Sequence, residues 1–219
     1  MDFSSFFIKR PETAEPALAF SPLPGGLPTG KLVEMRGVSG KTDALLQVFR
    51  ENPELQIAWI EVRANIYPCA FSERGVDLDR VLFIEAADAH EALTCAHQVL
   101  KSQIFGAVVL SQLDAAPAVP FIPHTTQPSR PRDSRSFELR GPRSRSGVGE
   151  IELRRLQLAA GKSGGTVFLI NECAVSEENW PIEVQLEVSR AQGELKVQII
   201  KSRTRRDLWD QSPVDRSTG

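Results

Sequence analysis

The residues best suited to chemistry in this chain are Gly37, Gly40, Lys41 and Thr42, which stand in the run Gly37-Val38-Ser39-Gly40-Lys41-Thr42. Glycines free successive backbone N–H groups to wrap an anion at a helix N-terminus. A lysine then reaches the outer phosphates and a hydroxyl residue holds magnesium. A working phosphate loop places four residues between its first Gly and the Gly-Lys-Thr, and here there are two. The missing pair shortens the path by up to ~7 Å, so the loop is expected not to close around a triphosphate.

Other reactive residues are sparse. Cys69, Cys95 and Cys173 lie far apart and form no Cys/His pair with metal-ligand spacing. They are expected to be reduced core thiols of a cytoplasmic protein, and no metal or cofactor is expected. His90 and His97 fall beside a helical apolar stripe and are expected to be surface residues without a catalytic role.

The elements that must hold the glycine run are legible around it. Residues 31–35 form an apolar strand before it, and an amphipathic helix follows to about residue 50. Further buried strands are expected over residues 55–62, 81–84, 105–110 and 166–170, with a turn and one short helix between Tyr67 and Gly75. Helices are expected over 87–101 and 150–160, the second ended by Gly161 and Gly164-Gly165. Residues 182–188 and 195–200 alternate as an antiparallel pair turned at Gln192-Gly193. Strands alternating with helices, then a hairpin, predict an α/β domain: a mostly parallel twisted sheet flanked by helices, with an antiparallel C-terminal hairpin.

Size and charge fit one domain: 24.2 kDa, 41% hydrophobic residues and a net charge of −2. That charge gives no global attraction to nucleic acid or membrane. No apolar run is long enough to span a bilayer, so no membrane association is expected. Residues 1–24 carry Phe3, Phe6, Phe7 and Ile8 before a proline-rich link, an arm that folds on its own domain or docks on a neighbour. The domain itself is assigned to residues 25–206, with a polar tail over 207–219. Within it, residues 115–148 form a Pro/Ser-rich basic loop with Arg130, Arg132, Arg135, Arg140, Arg143 and Arg145. This loop is either a solvated linker or a contact for DNA or an acidic partner.

The order of motifs resembles the core of the RecA recombinase family over roughly residues 24–203. GGLPTGKLVEMRG is similar to the family's entry to its phosphate loop, IAWIEV to the strand leading to its catalytic carboxylate, and GVDLDRVLFIEAADAHEAL to its GVD strand and helix. FGAVVL resembles the Walker B strand, VFLINE the sensor strand, and VQIIKSR the lysine-bearing strand near the subunit interface.

The departures fall on the catalytic positions. Arg63 stands where the resemblance implies the water-positioning glutamate, Ser111 where it implies the Walker B aspartate, and Glu172 where it implies the sensor glutamine. Ala70 takes the place of an adenine-stacking tyrosine. The first DNA-binding loop is exchanged for residues 115–148, and the second has shrunk to 173–179. Lys201 and Arg203 sit where the family has two lysines that reach a neighbour's nucleotide. Phosphoryl transfer is mostly positioning and charge stabilisation, so losing these parts together implies a pseudo-ATPase.

A short chain of this kind is most similar to the ImuA family, the RecA/SulA-related component of the bacterial mutagenesis cassette. That resemblance implies a non-catalytic adaptor in SOS-induced translesion synthesis. Its partner would be an ImuB-type Y-family polymerase homologue, with an error-prone replicative-type polymerase engaged indirectly. Phe3, Phe6, Phe7, Lys201 and Arg203 would serve protein interfaces, including a homo-oligomer or a pairing with RecA, and the six loop arginines would serve DNA. The alternatives are an atypical ATPase using Lys41, Thr42 and Glu61 or Asp114, and a SulA-like inhibitor of cell division.

Overall fold

The computed structural model describes residues 17–62, 65–113, 149–170, 181–191 and 193–203. Phe3, Phe6, Phe7, Arg63, Asp114, Glu172, Cys173 and the six arginines between Arg130 and Arg145 lie outside the described residues.

Seven strands form one sheet. In chain order they are β3 (Leu32–Arg36), β4 (Ile57–Glu61), β5 (Val81–Glu85), β6 (Ala107–Ser111), β7 (Thr166–Ile170), β8 (Val184–Ala191) and β9 (Glu194–Ser202). Their spatial order is β5-β4-β6-β7-β3-β8-β9. Every pairing is parallel except β8 with β9. The sequence foretells the class because β4, β6 and β7 are buried at every position, which requires apolar residues facing both ways. By contrast β9 alternates exposed and half-buried positions, as suits a one-sided antiparallel edge. Its turn uses Gly193 at φ 87.

One face of the sheet is covered by α1 (Lys41–Glu51) and α2 (Cys69–Glu73). Phe71 of α2 meets Trp59 and Phe83 edge-on at ring-centroid distances of 5.3 and 5.1 Å, which fixes α2 over β4 and β5. A two-stranded strap of β1 (Ala17–Leu18) and β2 (Leu27–Pro28) also packs here, burying Leu18, Phe20, Leu23 and Leu27 in the α1 core. Part of the segment expected to be linker thus packs on the domain, with Leu18, Phe20 and Leu23 in its core. Asn52 holds the strap, exchanging hydrogen bonds with the Ala19 backbone, while Ser21 bonds Glu51. The end of α1 is closed by Arg80, buried, whose guanidinium donates to the carbonyls of Phe49, Asn52 and Leu55 at 2.6, 3.0 and 3.1 Å.

The other face carries α3 (Ala89–Ser102) and α4 (Glu150–Ser163), packed side by side. The expected stripe of α3 is the buried one: Ala92, Leu93, Ala96, Val99 and Leu100. Asp88 caps its start by accepting from the Glu91 N–H, and Glu91 returns a bond to the Ala87 N–H. Of the glycines expected to end α4, Gly164 does so and Gly161 does not. The helix runs on to Ser163, and Gly164 ends it at φ 78, donating to the Ala160 carbonyl. Gly161 lies inside the helix, where an added Cβ would meet the Gly30 carbonyl at 3.9 Å, an ordinary contact. The thiols also differ from expectation: Cys69 is exposed and Cys95 only half-buried, so neither is a core residue. Among the described residues no helix is long and apolar enough to cross a membrane.

Candidate functional site

The glycine run leaves β3 at the carboxyl edge of the parallel strands, where open α/β sheets bind their ligands. Gly37 has φ 121 and Gly40 φ 86, and α1 begins at Lys41. Both glycines face the β8–β9 hairpin. The Val188 carbonyl fills the space that a Cβ on Gly37 would need, and a Cβ on Gly40 would lie 3.1 Å from Leu195 Cδ1. Val38 at the tip is 99% exposed, Lys41 is half-buried and Thr42 is exposed. Gly37 is thus required by the approach of β8, and Gly40 by its left-handed φ of 86, whether or not an anion ever sits on the loop.

Beside the loop one carboxylate is shared by two cations. Asp43, in the first turn of α1, bonds Arg74 at 2.7 Å and Arg190 at 3.2 Å. Two guanidinium groups from α2's end and from β8 are thereby held near Lys41 and already have a carboxylate partner. Nothing in the residue spacing points to this trio, because its members are far apart along the chain and meet only through the sheet order.

Across the same edge, Glu61 of β4, Ser111 of β6 and Ile170 of β7 stand in register, and Glu85 of β5 flanks Glu61. Ser111 is 7% exposed. A neutral hydroxyl there supplies none of the charge with which a carboxylate holds a magnesium shell. Glu61, 4% exposed, is fully engaged: it accepts from Trp59 Nε1 at 2.8 Å and from the backbone N–H groups of Asn65 and Ile66 at 2.9 and 3.1 Å. It closes the turn after β4. A cavity of about 210 Å³ beside it is walled by Trp59, Phe83, Ile66, Ile84 and the two glutamates, a lining that repels a triphosphate. Among the described residues no group of three His, Cys, Asp or Glu side chains is placed to hold a metal ion.

No protein-family model matches the chain. It is 28% identical over 95 residues to the RecA protein of Ruminococcus albus, covering 42% of this chain and 24% of that one. It is 27% identical over 158 residues to the RecA protein of Rubrobacter xylanophilus, covering 68% and 41% respectively. The chain spans less than half the length of these curated relatives. In three dimensions it is similar to the RadB recombinase, with a TM-score of 0.54, 18% identity, and coverage of 83% of this chain and 85% of that one. The fold is RecA-like.

Within a RecA-like sheet the remaining expected residues separate into two groups. Gly37, Gly40, Lys41, Thr42 and Ser111 share the carboxyl edge. Lys201 and Arg203 do not join them. Lys201 lies level with Gln185 and Glu34, and the Arg203 N–H bonds the Glu183 carbonyl, near the amino end of the parallel strands on the β9 side. Ala70 is a half-buried residue of α2 and offers no ring for a base. On the α4 face of β3 and β8, Gln185 Nε2 donates to buried Glu34 at 3.0 Å, while Glu183 Oε1 is buried without a hydrogen bond.

Proposed function

We propose that this chain is a non-catalytic RecA-like adaptor acting in SOS-induced translesion DNA synthesis, and that it receives an extended arm from an ImuB-type Y-family polymerase homologue. The observation carrying the non-catalytic half is the seating of Gly37 and Gly40 against the β8–β9 hairpin. The phosphate-type loop is used as a packing element. The pairing of Asp43 with Arg74 and Arg190, the hydroxyl at Ser111 and the saturated carboxylate of Glu61 support the same reading. They also weigh against Glu61 as a substitute metal or water ligand in an atypical ATPase.

The adaptor half is supported by β5. It is the outer strand of the sheet, and its Leu82 is 45% exposed. Among the described residues nothing pairs with its outer side, and a parallel edge with an apolar side chain is suited to adding an extended segment through main-chain bonds. ImuB-type homologues enter through the resemblance to the ImuA family. In this reading Arg130–Arg145 add contacts to DNA, an error-prone replicative-type polymerase is engaged through the bound homologue, and self-association or pairing with RecA uses the same edge.

Two measurements test it. Fluorescent ATP with magnesium should bind no tighter than about millimolar, and micromolar binding with phosphate release lost in Lys41→Ala overturns the non-catalytic half. Co-purification with a tagged Y-family polymerase homologue should be lost in Leu82→Asp. Recovery of a cell-division filament protein in its place overturns the adaptor half in favour of a SulA-like inhibitor.

A further inference from the structure

Between α3 and α4, on the sheet face away from the glycine loop, runs a groove with cavities of about 320 and 180 Å³ that share His97 and Arg155. It extends along α3 from His90 to Gln103, about 20 Å at helical rise. That length suits a peptide segment better than a small ligand. Its wider half has an apolar floor of Leu100, Leu158 and Ala159, with Leu158 66% exposed. Around that floor stand Lys101, Arg155 and Lys162. Glu152 is the acid in the narrower half. Among the described residues none of the three cations has an ion pair, whereas neighbouring Arg154 is bonded to Glu150.

We propose that this groove docks an acidic amphipathic segment of a partner protein. The occupant's leucine or phenylalanine side chains would rest on Leu158 and Ala159, and its carboxylates would face Lys101, Arg155 and Lys162. Charge complementarity selects this occupant. Three unpaired cations around exposed apolar surface fit a segment that is both acidic and greasy. Single-stranded nucleic acid would use the cations but needs aromatic platforms for its bases, and among the described residues the groove lining contains no Phe, Tyr or Trp. The inference is independent of the adaptor reading, because it concerns neither the β5 edge nor the glycine loop.

The test is fluorescence anisotropy on the full chain with a labelled synthetic helix of about 18 residues, five turns. Its Leu and Phe line one face and its Glu and Asp flank them. Saturable binding is expected. Combined Lys101→Gln, Arg155→Gln and Lys162→Gln, and separately Leu158→Ser, should each weaken it about tenfold or more with the melting temperature little changed. Four results overturn the proposal. They are absence of binding at about 1 mM, binding untouched by either variant, equal binding of a peptide with Ser in place of Leu and Phe, and displacement of the peptide by single-stranded DNA that Leu158→Ser leaves intact. Self-association of the chain that is lost in Leu158→Ser would assign the groove to a second copy and would likewise overturn it.

Discussion

The main-chain carbonyl of Val188 occupies the place where a side chain on Gly37 would begin. The contact joins the first glycine of the loop to the strand beside β3, and Gly37 adopts φ 121, a conformation L-residues rarely take. Gly37→Ala should therefore destabilise the domain by about 3 kcal/mol or more, since neither backbone can yield. Gly193→Ala is the internal control: φ is 87, but nothing lies within 4 Å of the added Cβ. It should cost about 1 kcal/mol, from backbone strain alone. Urea denaturation of both variants without nucleotide reads the difference.

Arg80 ends α1 by bonding three carbonyls from 25 to 31 residues away in sequence. Burial lowers its pKa from the ordinary arginine value, against the attraction of Asp77 and Glu54, and a guanidinium stays charged at neutral pH. Arg80→Ala would take the guanidinium donor from those acceptors, leaving the Phe49 and Asn52 carbonyls only a long backbone bond of 3.3 Å each, and would open space in the core. A loss of about 3 kcal/mol is expected. Arg80→Lys should recover only part of it, because an ammonium cannot reproduce the forked geometry. Chemical denaturation midpoints measure both.

Glu61 should prove structural. Glu61→Gln keeps the shape but offers one fewer accepting oxygen to three donors, so a loss of about 1–2 kcal/mol is expected. Tryptophan fluorescence should also shift, because Trp59 Nε1 loses its carboxylate partner. Phosphate release on mixing with ATP should be the same in the variant as in the parent chain.

Glu51 couples the N-terminal strap to α1 and sets a pH dependence. Partial burial pushes its pKa up, but hydrogen bonds from the Ser21 hydroxyl, Gln47 and the Ser21 N–H, with the charge of Arg50, leave it below the ordinary 4.5. With the folded value depressed, its stabilisation is present above pH 4.5 and is lost as pH falls through the folded value. The melting-temperature gap between the parent chain and Glu51→Gln should hold at neutral pH and close below about pH 4.

Legibility followed local physics. The central strands were readable because burial on both faces demands an uninterrupted apolar run, as in TVFLI and AVVLS. The α3 stripe was readable because an apolar face repeats at helical spacing. Of the glycines that could end α4, Gly164 takes the left-handed conformation that stops a helix, whereas Gly161 stays helical, and spacing alone does not tell the two apart. Residues 17–24 read as linker in the sequence because their few apolar residues make no core until α1 lies beneath them.

By itself, the sequence determined the α/β class, the glycine-Lys-Thr turn after a buried strand, and the replacement of an acidic strand end by Ser111, since each depends on residue types over a few positions. Tertiary structure alone decided what the loop touches. The strand order sets β8 against Gly37, brings Arg74 and Arg190 to Asp43, and keeps Lys201 and Arg203 away from Lys41. Strand order is fixed by which buried faces pack together across the whole chain, so short-range spacing carries no record of it.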